Sequence, residues 1–400
     1  MRGSTKPELR SVGESAGEDA PSGAAHELLR ALIRRFASES LQEIQRLVPT
    51  FQDWNSLFEE SQQHRVSQIV FKRLQEAGVI VPTTVQQRLN AEFNRSAFHA
   101  LANAAELITI LQEFSRESID AMPFKGVVLA SSIYGDLAAR PPGDLDLLVR
   151  YSDLKRATET ILNRGYDLKS AVLPDGSPAE KDCYEYHFER RIDGMVVELR
   201  WRLDLVYSRF KRDLGMSWAW PTRRTATVVG AQIPNLDPEK TLLMLCMHGS
   251  KHIWSRLIWI CDVAQLLEVE RKLDWDLAIR EAKRLGLWRS LALGVLLAHR
   301  VIGAAVPKDV LKGFESDAGS RSLARYFEKN VLDAPGVPPK SRVPYSFKLL
   351  GFRDRARLLL SLDILRPNDR DFEALRLPKP LRPLYFVFRP LRLFRDKSAR

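Results

Sequence analysis

The stretch FKGVVLASSIYGDLAARPPGDLDLLVRY, residues 124–151, places two aspartates inside an apolar run. Asp144 and Asp146 flank Leu145, and three more apolar residues follow directly. The pattern predicts a β-strand, in which residues i and i+2 point to the same face. The two carboxylates would then share one face, where they repel each other unless cations neutralise them or one takes up a proton. Paired charges in a strand that should be buried therefore need a chemical reason.

Magnesium binding would supply such a reason, because Mg²⁺ prefers oxygen ligands and binds through a few carboxylates plus substrate phosphates. A third carboxylate on a neighbouring strand would allow two ions about 3.5–4 Å apart, the spacing used for in-line attack at phosphorus. Glu198, in the apolar segment VVELRW, is the best candidate for that third ligand. Closely spaced carboxylates also arise by chance in a chain with 50 Asp and Glu, so the surrounding pattern of strands carries the prediction.

The hydrophobic periodicity changes twice along the chain, from helical to strand-like and back. Apolar residues first recur at the three- and four-residue intervals typical of helices. IDAMPFKG and GDLDLLVRY then indicate strands around a short helical segment, and YEYHFERR with GMVVELRW indicates a β-hairpin. Amphipathic helices return after residue 239. The sequence therefore predicts an α+β fold with a small mixed sheet between N-terminal helices and a C-terminal helical domain.

These changes predict five segments. They are a flexible leader (1–25), an N-terminal helical region (26–118), a sheet-containing core (119–235), a helical domain (236–335) and a basic, Pro- and Arg-rich C-terminal segment (336–400).

The positive charge is concentrated at the C-terminal end. Residues 340–400 carry 16 Lys and Arg against 6 Asp and Glu, which accounts for +10 of the formal net charge of +11. The nearly neutral remainder does not resemble a nucleic-acid groove lined with phosphate contacts, so nucleic acid is not an expected partner. The tail also interleaves aromatic residues with arginines, a combination that can lie on an anionic membrane surface. Packing of the aromatics on the helical domain, with hydrated arginines, is the favoured interpretation.

Several features indicate a cytoplasmic protein. The three cysteines show no C-x-x-C spacing, which fits a reducing compartment. The N-terminal residues lack the apolar core of a signal peptide. The most apolar stretch, residues 290–306, is interrupted by His299 and Arg300, so no transmembrane helix is predicted.

The block 124–149, the segment VVELRW and the later motif HGSKH…RLIWICDVAQLL resemble the uncharacterised nucleotidyltransferase family of the polymerase β superfamily. The resemblance runs from about residue 50 to the C-terminus. It implies a minimal nucleotidyltransferase core, which is a mixed sheet flanked by helices. It also implies that Asp144, Asp146 and Glu198 hold two Mg²⁺ ions and that the substrate is a nucleoside triphosphate, with ATP the first candidate. The acceptor, a small molecule or a protein, stays open.

Two positions depart from the pattern of these relatives. Gly126-Val127 stands where the superfamily usually has Gly-Ser or Gly-Gly, so a phosphate-binding hydroxyl is absent. Backbone N–H groups at the start of the following helix could still hold phosphate. Lys125 would add a positive charge there or would be solvated. Arg200 stands where the family often has His, which leaves the predicted role of Glu198 in place.

Two charged residues outside the carboxylate motif have alternative interpretations. Arg140 lies just before the strand that is predicted to carry the two aspartates. It would bind triphosphate oxygens bidentately or form a structural salt bridge with Asp144 or Asp136. Asp262 lies in an apolar helix, and we expect it to pair with Arg256 or with a histidine.

The histidines give a weaker signal. His248 and His252 share a helix face at i, i+4 with Lys251 beside them, but the H-E-x-x-H glutamate is absent, which disfavours a zinc site. We expect these residues to line the acceptor pocket or to bond to neighbouring helices. His187 alternates with aromatic residues and would face either the site or solvent.

Three functions fit these observations. The leading one is Mg²⁺-dependent transfer of a nucleoside monophosphate to a hydroxyl-type acceptor with release of pyrophosphate. The alternative is a catalytically silent nucleotide-binding or protein-interaction module, such as a toxin–antitoxin or biosynthetic-cluster partner. The nearly neutral body disfavours a third function, a template-independent polymerase. The sequence leaves the acceptor, the base preference and the oligomeric state open.

Overall fold

A computed structural model of the chain describes residues 23–36, 39–170, 172, 178, 183–203 and 214–330, together with positions 345, 349, 384 and 385. Most of the predicted leader and nearly all of the C-terminal segment lie outside the described residues. Of that segment, Tyr345 and Tyr385 are described, and both are buried. The expected packing or membrane contact of the remaining tail aromatics stays a prediction.

Helices precede the sheet in the described part of the chain. They are α1 (Gly23–Ile33), α2 (Ser40–Leu47), α3 (Trp54–Gln63), α4 (Ser67–Glu76) and α5 (Thr83–Arg116). The described residues form two hydrophobic cores, one among the helices and one against the sheet, and the long helix α5 contributes to both. Its N-terminal half packs among the other helices through Val85 and Leu89, and its C-terminal half packs on the sheet through Leu107, Ile110 and Phe114. Helix α5 therefore joins the helical region to the sheet.

The sheet has five strands, namely β1 (Ala121–Pro123), β2 (Leu145–Val149), β3 (Tyr166–Leu168), β4 (Glu185–Arg190) and β5 (Val196–Arg200). Their order is β1-β2-β5-β4-β3. Strands β2 and β5 are parallel, and the other neighbouring pairs are antiparallel. This mixed sheet within a mostly helical chain confirms the predicted α+β fold, and β4 with β5 confirms the predicted hairpin.

Short helices connect the strands. Helix α6 (Gly126–Leu129) continues as a π-helical turn (Ala130–Tyr134) between β1 and β2, and α7 (Leu154–Asn163) joins β2 to β3. Side chains alternate along β2 as a strand requires. Leu145, Leu147 and Val149 enter the core beneath α5 and α7, whereas Leu148 joins the core shared with the C-terminal helices. Asp146 lies on the same face as Leu148, so its carboxylate faces the C-terminal helices.

The remaining described elements form a hairpin and a helical layer. They are α8 (Met216–Ala219), β6 (Arg224–Val228), β7 (Ala231–Asn235), α9 (Pro238–Lys251), α10 (Leu257–Val269), α11 (Trp275–Leu285), α12 (Trp288–Leu297), α13 (Lys308–Ser316) and α14 (Ala318–Asn330). Helix α9 starts at an Asp237 cap, whose carboxylate accepts a hydrogen bond from Lys240 N at 2.8 Å, followed by proline at the first position. Within the described residues, no helix combines the length and the apolarity needed to cross a membrane.

Trp254 fills the centre of the helical layer. Its side chain is fully buried, and it packs where α9 and α12 come together. A Cβ added at Gly249 would overlap the indole ring, and one added at Gly294 would meet both Cys246 and the same ring. The glycines therefore serve close packing at these two positions.

We predict that Gly249→Ala destabilises the protein by about 1–3 kcal/mol, because the added methyl group overpacks a core that contains a rigid indole ring. Urea unfolding followed by fluorescence measures the change. Gly313→Ala is the matched control, since its added Cβ meets no atom of the described residues within 4 Å. It should be neutral or stabilise α13 by about 0.5–1 kcal/mol. Equal effects of the two substitutions would contradict the packing argument.

Candidate active site

The parallel pairing of β2 with β5 brings two predicted metal ligands side by side. Asp146 and Glu198 are Cα partners in the register of these strands. Asp144 lies one residue before β2 and is exposed to the solvent of the cleft. All three line one cleft of about 500 Å³. The structure therefore places together the carboxylates that the sequence singled out, and their roles stay a prediction.

Two buried cations neutralise the innermost carboxylate. Oδ1 of Asp146 lies 3.0 Å from Lys125 Nζ and 3.2 Å from Arg200 Nη2. Burial raises the pKa of Asp146, and these two positive charges oppose the rise. The pKa of Asp144 is also raised, first by partial removal of the carboxylate from water and then by the negative charge of Asp146. The pair thus carries the mutual repulsion that the sequence predicts.

An unusual backbone turn positions Lys125 beside Asp146. Lys125 has φ = 80° and Gly126 has φ = 51°, so two successive residues adopt positive φ between β1 and α6. The positive φ of Gly126 favours glycine there, since side chains with a Cβ rarely adopt it. A non-glycine residue at positive φ is strained by about 1–3 kcal/mol. The Lys125 side chain is buried against Asp146, so the solvated interpretation is wrong, and phosphate binding by Lys125 and Gly126 stays a prediction.

The hairpin adds Glu185, which the sequence did not indicate, and His187, for which the sequence left both the site and solvent open. His187 lies opposite Glu198 in the β4–β5 register, with its Nδ1 3.6 Å from Glu198 Oε1. Its Nε2 lies 3.4 Å from Glu185 Oε1. Burial acts to raise the pKa of Glu185, but the hydrogen bond from His187 and the charge of Arg200 bring it down to about 2. The alternation of YEYHFERR was the available signal, because Glu185 and His187 share the face opposite Tyr186 and Phe188.

Within the described residues, one group of three side chains could hold a metal ion, and it includes Glu198 but neither Asp144 nor Asp146. Glu185, His187 and Glu198 each offer an atom within 4.8 Å of the others. His248 and His252, the i, i+4 pair, have no such third partner in the described chain. Carboxylate and imidazole groups of this kind can hold a divalent cation.

Arg140 forms a different salt bridge from those we expected. Its guanidinium makes a bidentate pair with Asp262, with Nε–Oδ1 at 2.9 Å and Nη2–Oδ2 at 3.0 Å. Tyr134 Oη also donates to Asp262 Oδ1, at 2.9 Å. The predicted pairing of Arg140 with Asp144 or Asp136 is therefore wrong, and Asp136 bonds to Lys72 instead.

The same contact corrects the expectation for Asp262, which pairs with Arg140 and Tyr134 rather than with Arg256 or a histidine. Arg140 still lines the cleft. Its predicted binding of triphosphate oxygens stays a prediction.

Two further arginines line the cleft beside Arg140. Arg65 lies in the turn between α3 and α4 with φ = 57° and donates a hydrogen bond of 2.6 Å to the carbonyl oxygen of Pro142. Arg256 immediately precedes α10, and its guanidinium lies 5.8 Å from the ring centre of Trp259. Neither arginine has a carboxylate within salt-bridge distance in the described part of the chain. Burial lowers the pKa of Arg65, and the charges of Arg140 and Arg256 lower it further.

His64 explains why these two arginines come together. Its Nδ1 accepts a hydrogen bond from Leu257 N, and its carbonyl oxygen accepts one from Ile258 N, both at 3.3 Å. Burial lowers the pKa of His64 to about 4, so the ring stays neutral and can accept. The α3–α4 turn is thereby attached to the first turn of α10. Nothing in the local sequence around Arg65 indicates this contact.

Aromatic side chains form another part of the cleft. The His248 and His252 rings lie 4.5 Å apart, and His252 lies 5.1 Å from Trp259. Burial first and then neighbouring cations lower the pKa of His248, and lower that of His252 to about 4. Lys251 donates a hydrogen bond of 2.6 Å to Tyr184 Oη. These residues line the same cleft as the carboxylates, and their contact with an acceptor stays a prediction.

Residues 50–303 match the model of a family described as uncharacterised nucleotidyltransferase. Because this match covers more than half of the 400 residues, the chain belongs to that family. No curated protein matches the sequence. The crystal structure of an antigenic nucleotidyltransferase-like protein from Paracoccidioides brasiliensis is similar at 18% identity and a TM-score of 0.30, over 47% of this chain and 91% of that chain.

We predict that Asp262→Ala destabilises the protein by about 3–5 kcal/mol, because it leaves the Arg140 guanidinium buried without its partner. Tyr134→Phe is the matched control. It removes one hydrogen bond to the same carboxylate and should cost only about 1 kcal/mol. Urea unfolding of both variants measures the difference. If the two changes were equally mild, Arg140 would not depend on Asp262.

Proposed function

We propose that the protein is a Mg²⁺-dependent nucleotidyltransferase. It transfers a nucleoside monophosphate from a nucleoside triphosphate, with ATP the first candidate, to a hydroxyl-type acceptor on a small molecule or a protein, and it releases pyrophosphate. One observation carries the proposal. A single cleft contains Asp146 and Glu198 on adjacent parallel strands and, beside them, arginines that lack carboxylate partners in the described chain.

The carboxylates fit a hard divalent cation. Asp144, Asp146 and Glu198 offer the oxygen ligands that Mg²⁺ prefers. Oδ1 of Asp146 is buried and already contacts Lys125 and Arg200, so a bound ion would share this carboxylate with them. When bound, Mg²⁺ would neutralise phosphate charge and polarise the bond to the leaving group.

The arginines fit the triphosphate. Arg65 and Arg256 present guanidinium groups to the cleft, and guanidinium binds phosphate oxygens through charge-assisted, often bidentate hydrogen bonds. Like charges gathered without carboxylate partners repel one another until an anion binds. A triphosphate would relieve this repulsion beside the carboxylates that would hold Mg²⁺.

Glu198 is suited to accept the proton of the acceptor. The hydroxyl oxygen attacks the α-phosphorus, the hydroxyl proton goes to Glu198, and the bond from the α-phosphorus to the bridging oxygen breaks. Pyrophosphate leaves with that oxygen and its electron pair, and Glu198 then returns the proton to solvent. His187 orients Glu198 through its Nδ1, 3.6 Å away.

The alternative is a catalytically silent nucleotide-binding module. The ion pairs of Lys125 and Arg200 with Asp146 favour it, since they neutralise this carboxylate without any metal. Titration with ATP and Mg²⁺ separates the two functions. Binding without pyrophosphate release, across diverse acceptors, would favour the module.

Because the acceptor is unidentified, the proposal is tested with mixtures that contain many candidate acceptors. The protein is incubated with each α-labelled triphosphate, Mg²⁺ and either a metabolite extract or a protein lysate, and both labelled product and pyrophosphate are measured. A labelled product formed together with pyrophosphate supports the proposal and identifies the acceptor. Binding of triphosphate with no product in any mixture would contradict it.

We predict that Asp144→Asn, Asp146→Asn and Glu198→Gln each reduce pyrophosphate release by at least about 100-fold, the scale of losing one electrostatic stabiliser of a transition state. Circular dichroism should show an intact fold. Asp167→Asn, a substitution on the exposed partner of Arg191, is the control and should keep full activity. Full metal-dependent activity of Asp146→Asn would show that the carboxylate assignment is wrong.

We also predict that Arg65→Met and Arg256→Met weaken ATP binding by about 10- to 100-fold each, the scale of a hydrogen bond to a charged group. Adenosine binding should change little, because it has no phosphates. Calorimetric titration with both ligands measures the difference. Arg271→Met, on a side chain that is 76% exposed, is the control. Parallel losses for ATP and adenosine would argue against a phosphate contact.

A further inference from the structure

Arg200 lies between the carboxylates of the candidate site. Its Nη2 is 3.2 Å from Asp146 Oδ1 and 2.9 Å from Glu185 Oε2, and it also bonds to the carboxylate of Glu198. One nitrogen atom thus contacts three acidic side chains. The Arg200 side chain is only 8% exposed, so bulk water screens these contacts little.

The strand register fixes this position. Arg200 follows Glu198 by two residues in β5, so both side chains lie on the same face of the sheet. Arg200 is also the Cα partner of Glu185 in the β4–β5 ladder. The rings of Phe124 and Tyr184 lie 5.7 Å and 5.8 Å from the guanidinium carbon and limit its movement.

The charges lining this part of the cleft leave room for one divalent ion. Four carboxylates line it, those of Asp144, Asp146, Glu185 and Glu198. Lys125 and Arg200 supply two positive charges in direct contact with Asp146. Arg65, Lys251 and Arg256 line the same cleft, and this further positive charge disfavours a second divalent ion. Two such ions would leave an excess of positive charge before the triphosphate arrives.

We propose that Arg200 takes the place of one of two divalent ions, so that the protein binds a single ion in addition to its internal guanidinium. This inference rests on the proposed function and specifies how its site is neutralised. Arg200 lies between Asp146 and Glu198, where an ion shared by these two ligands would otherwise bind. Asp144, the exposed carboxylate, and Asp146 remain to hold the single ion.

As a consequence, the protein does not need a metal ion to hold these carboxylates together in the folded state. Arg200 is a positioning residue, because it holds the Glu198 and Glu185 carboxylates beside Asp146 before substrate binds. Removal of a buried charge that contacts three opposite charges leaves those charges uncompensated. A divalent ion could then replace the guanidinium.

The test counts ions bound to the full chain without nucleotide, using Mn²⁺ and electron paramagnetic resonance. We expect one Mn²⁺ per chain for the wild type and for Arg200→Lys, which keeps the positive charge. Arg200→Met should bind two. Two ions on the wild type, one on Arg200→Met, or none on either protein would overturn the proposal.

Thermal unfolding gives a second readout that is independent of activity. In EDTA, Arg200→Met should unfold at a lower temperature than the wild type, and Mn²⁺ should restore most of the loss while shifting the wild type less. If Arg200→Met does not fold in EDTA, Arg200→Gln, which can still donate hydrogen bonds to the carboxylates, replaces it. Equal metal dependence of variant and wild type would refute the inference. Pyrophosphate release by a wild type with two ions would refute it while leaving the proposed function intact.

Discussion

Parallel pairing of β2 with β5 sets Asp146 beside Glu198 on the face of the sheet that the C-terminal helices cover, and this arrangement is electrostatically costly. Two carboxylates that are largely removed from water destabilise a fold unless positive charge lies within a few ångströms. The positions of Lys125 and Arg200 follow from that requirement. A turn with positive φ positions Lys125, and the register of the β4–β5 hairpin positions Arg200. Neutralisation thus determines much of the local structure.

The cleft depends on parts of the chain that are far apart in sequence. The N-terminal helices contribute Arg65, the loop before β2 contributes Arg140, and the start of α10 contributes Arg256. Hydrogen bonds from the first turn of α10 to His64 attach the helical region to the helical layer. The Arg140–Asp262 pair attaches the loop to α10. Rigid packing of three regions, rather than one motif, therefore creates the basic side of the cleft.

Membership of the nucleotidyltransferase family and the geometry of the cleft support the same chemistry from different directions. The family match covers both the sheet and the helices around it. The cleft combines oxygen ligands with guanidinium groups, which is the combination that phosphoryl chemistry requires. Arg200 adds a fixed guanidinium to this combination, because it contacts the carboxylates of Asp146, Glu185 and Glu198 at once.

The sequence by itself determined the fold class, the strand that carries Asp146 and the hairpin, because strand alternation and apolar patterning are local properties. It also singled out Asp144, Asp146 and Glu198, which line one cleft and whose roles stay a prediction. It also placed the histidine pair on one helix face. Only the tertiary structure decided the partners of Arg140 and Asp262, which are 122 residues apart, and the inclusion of Arg65 in the cleft. Salt bridges between distant residues depend on how helices and strands pack, and no spacing along the chain encodes that packing.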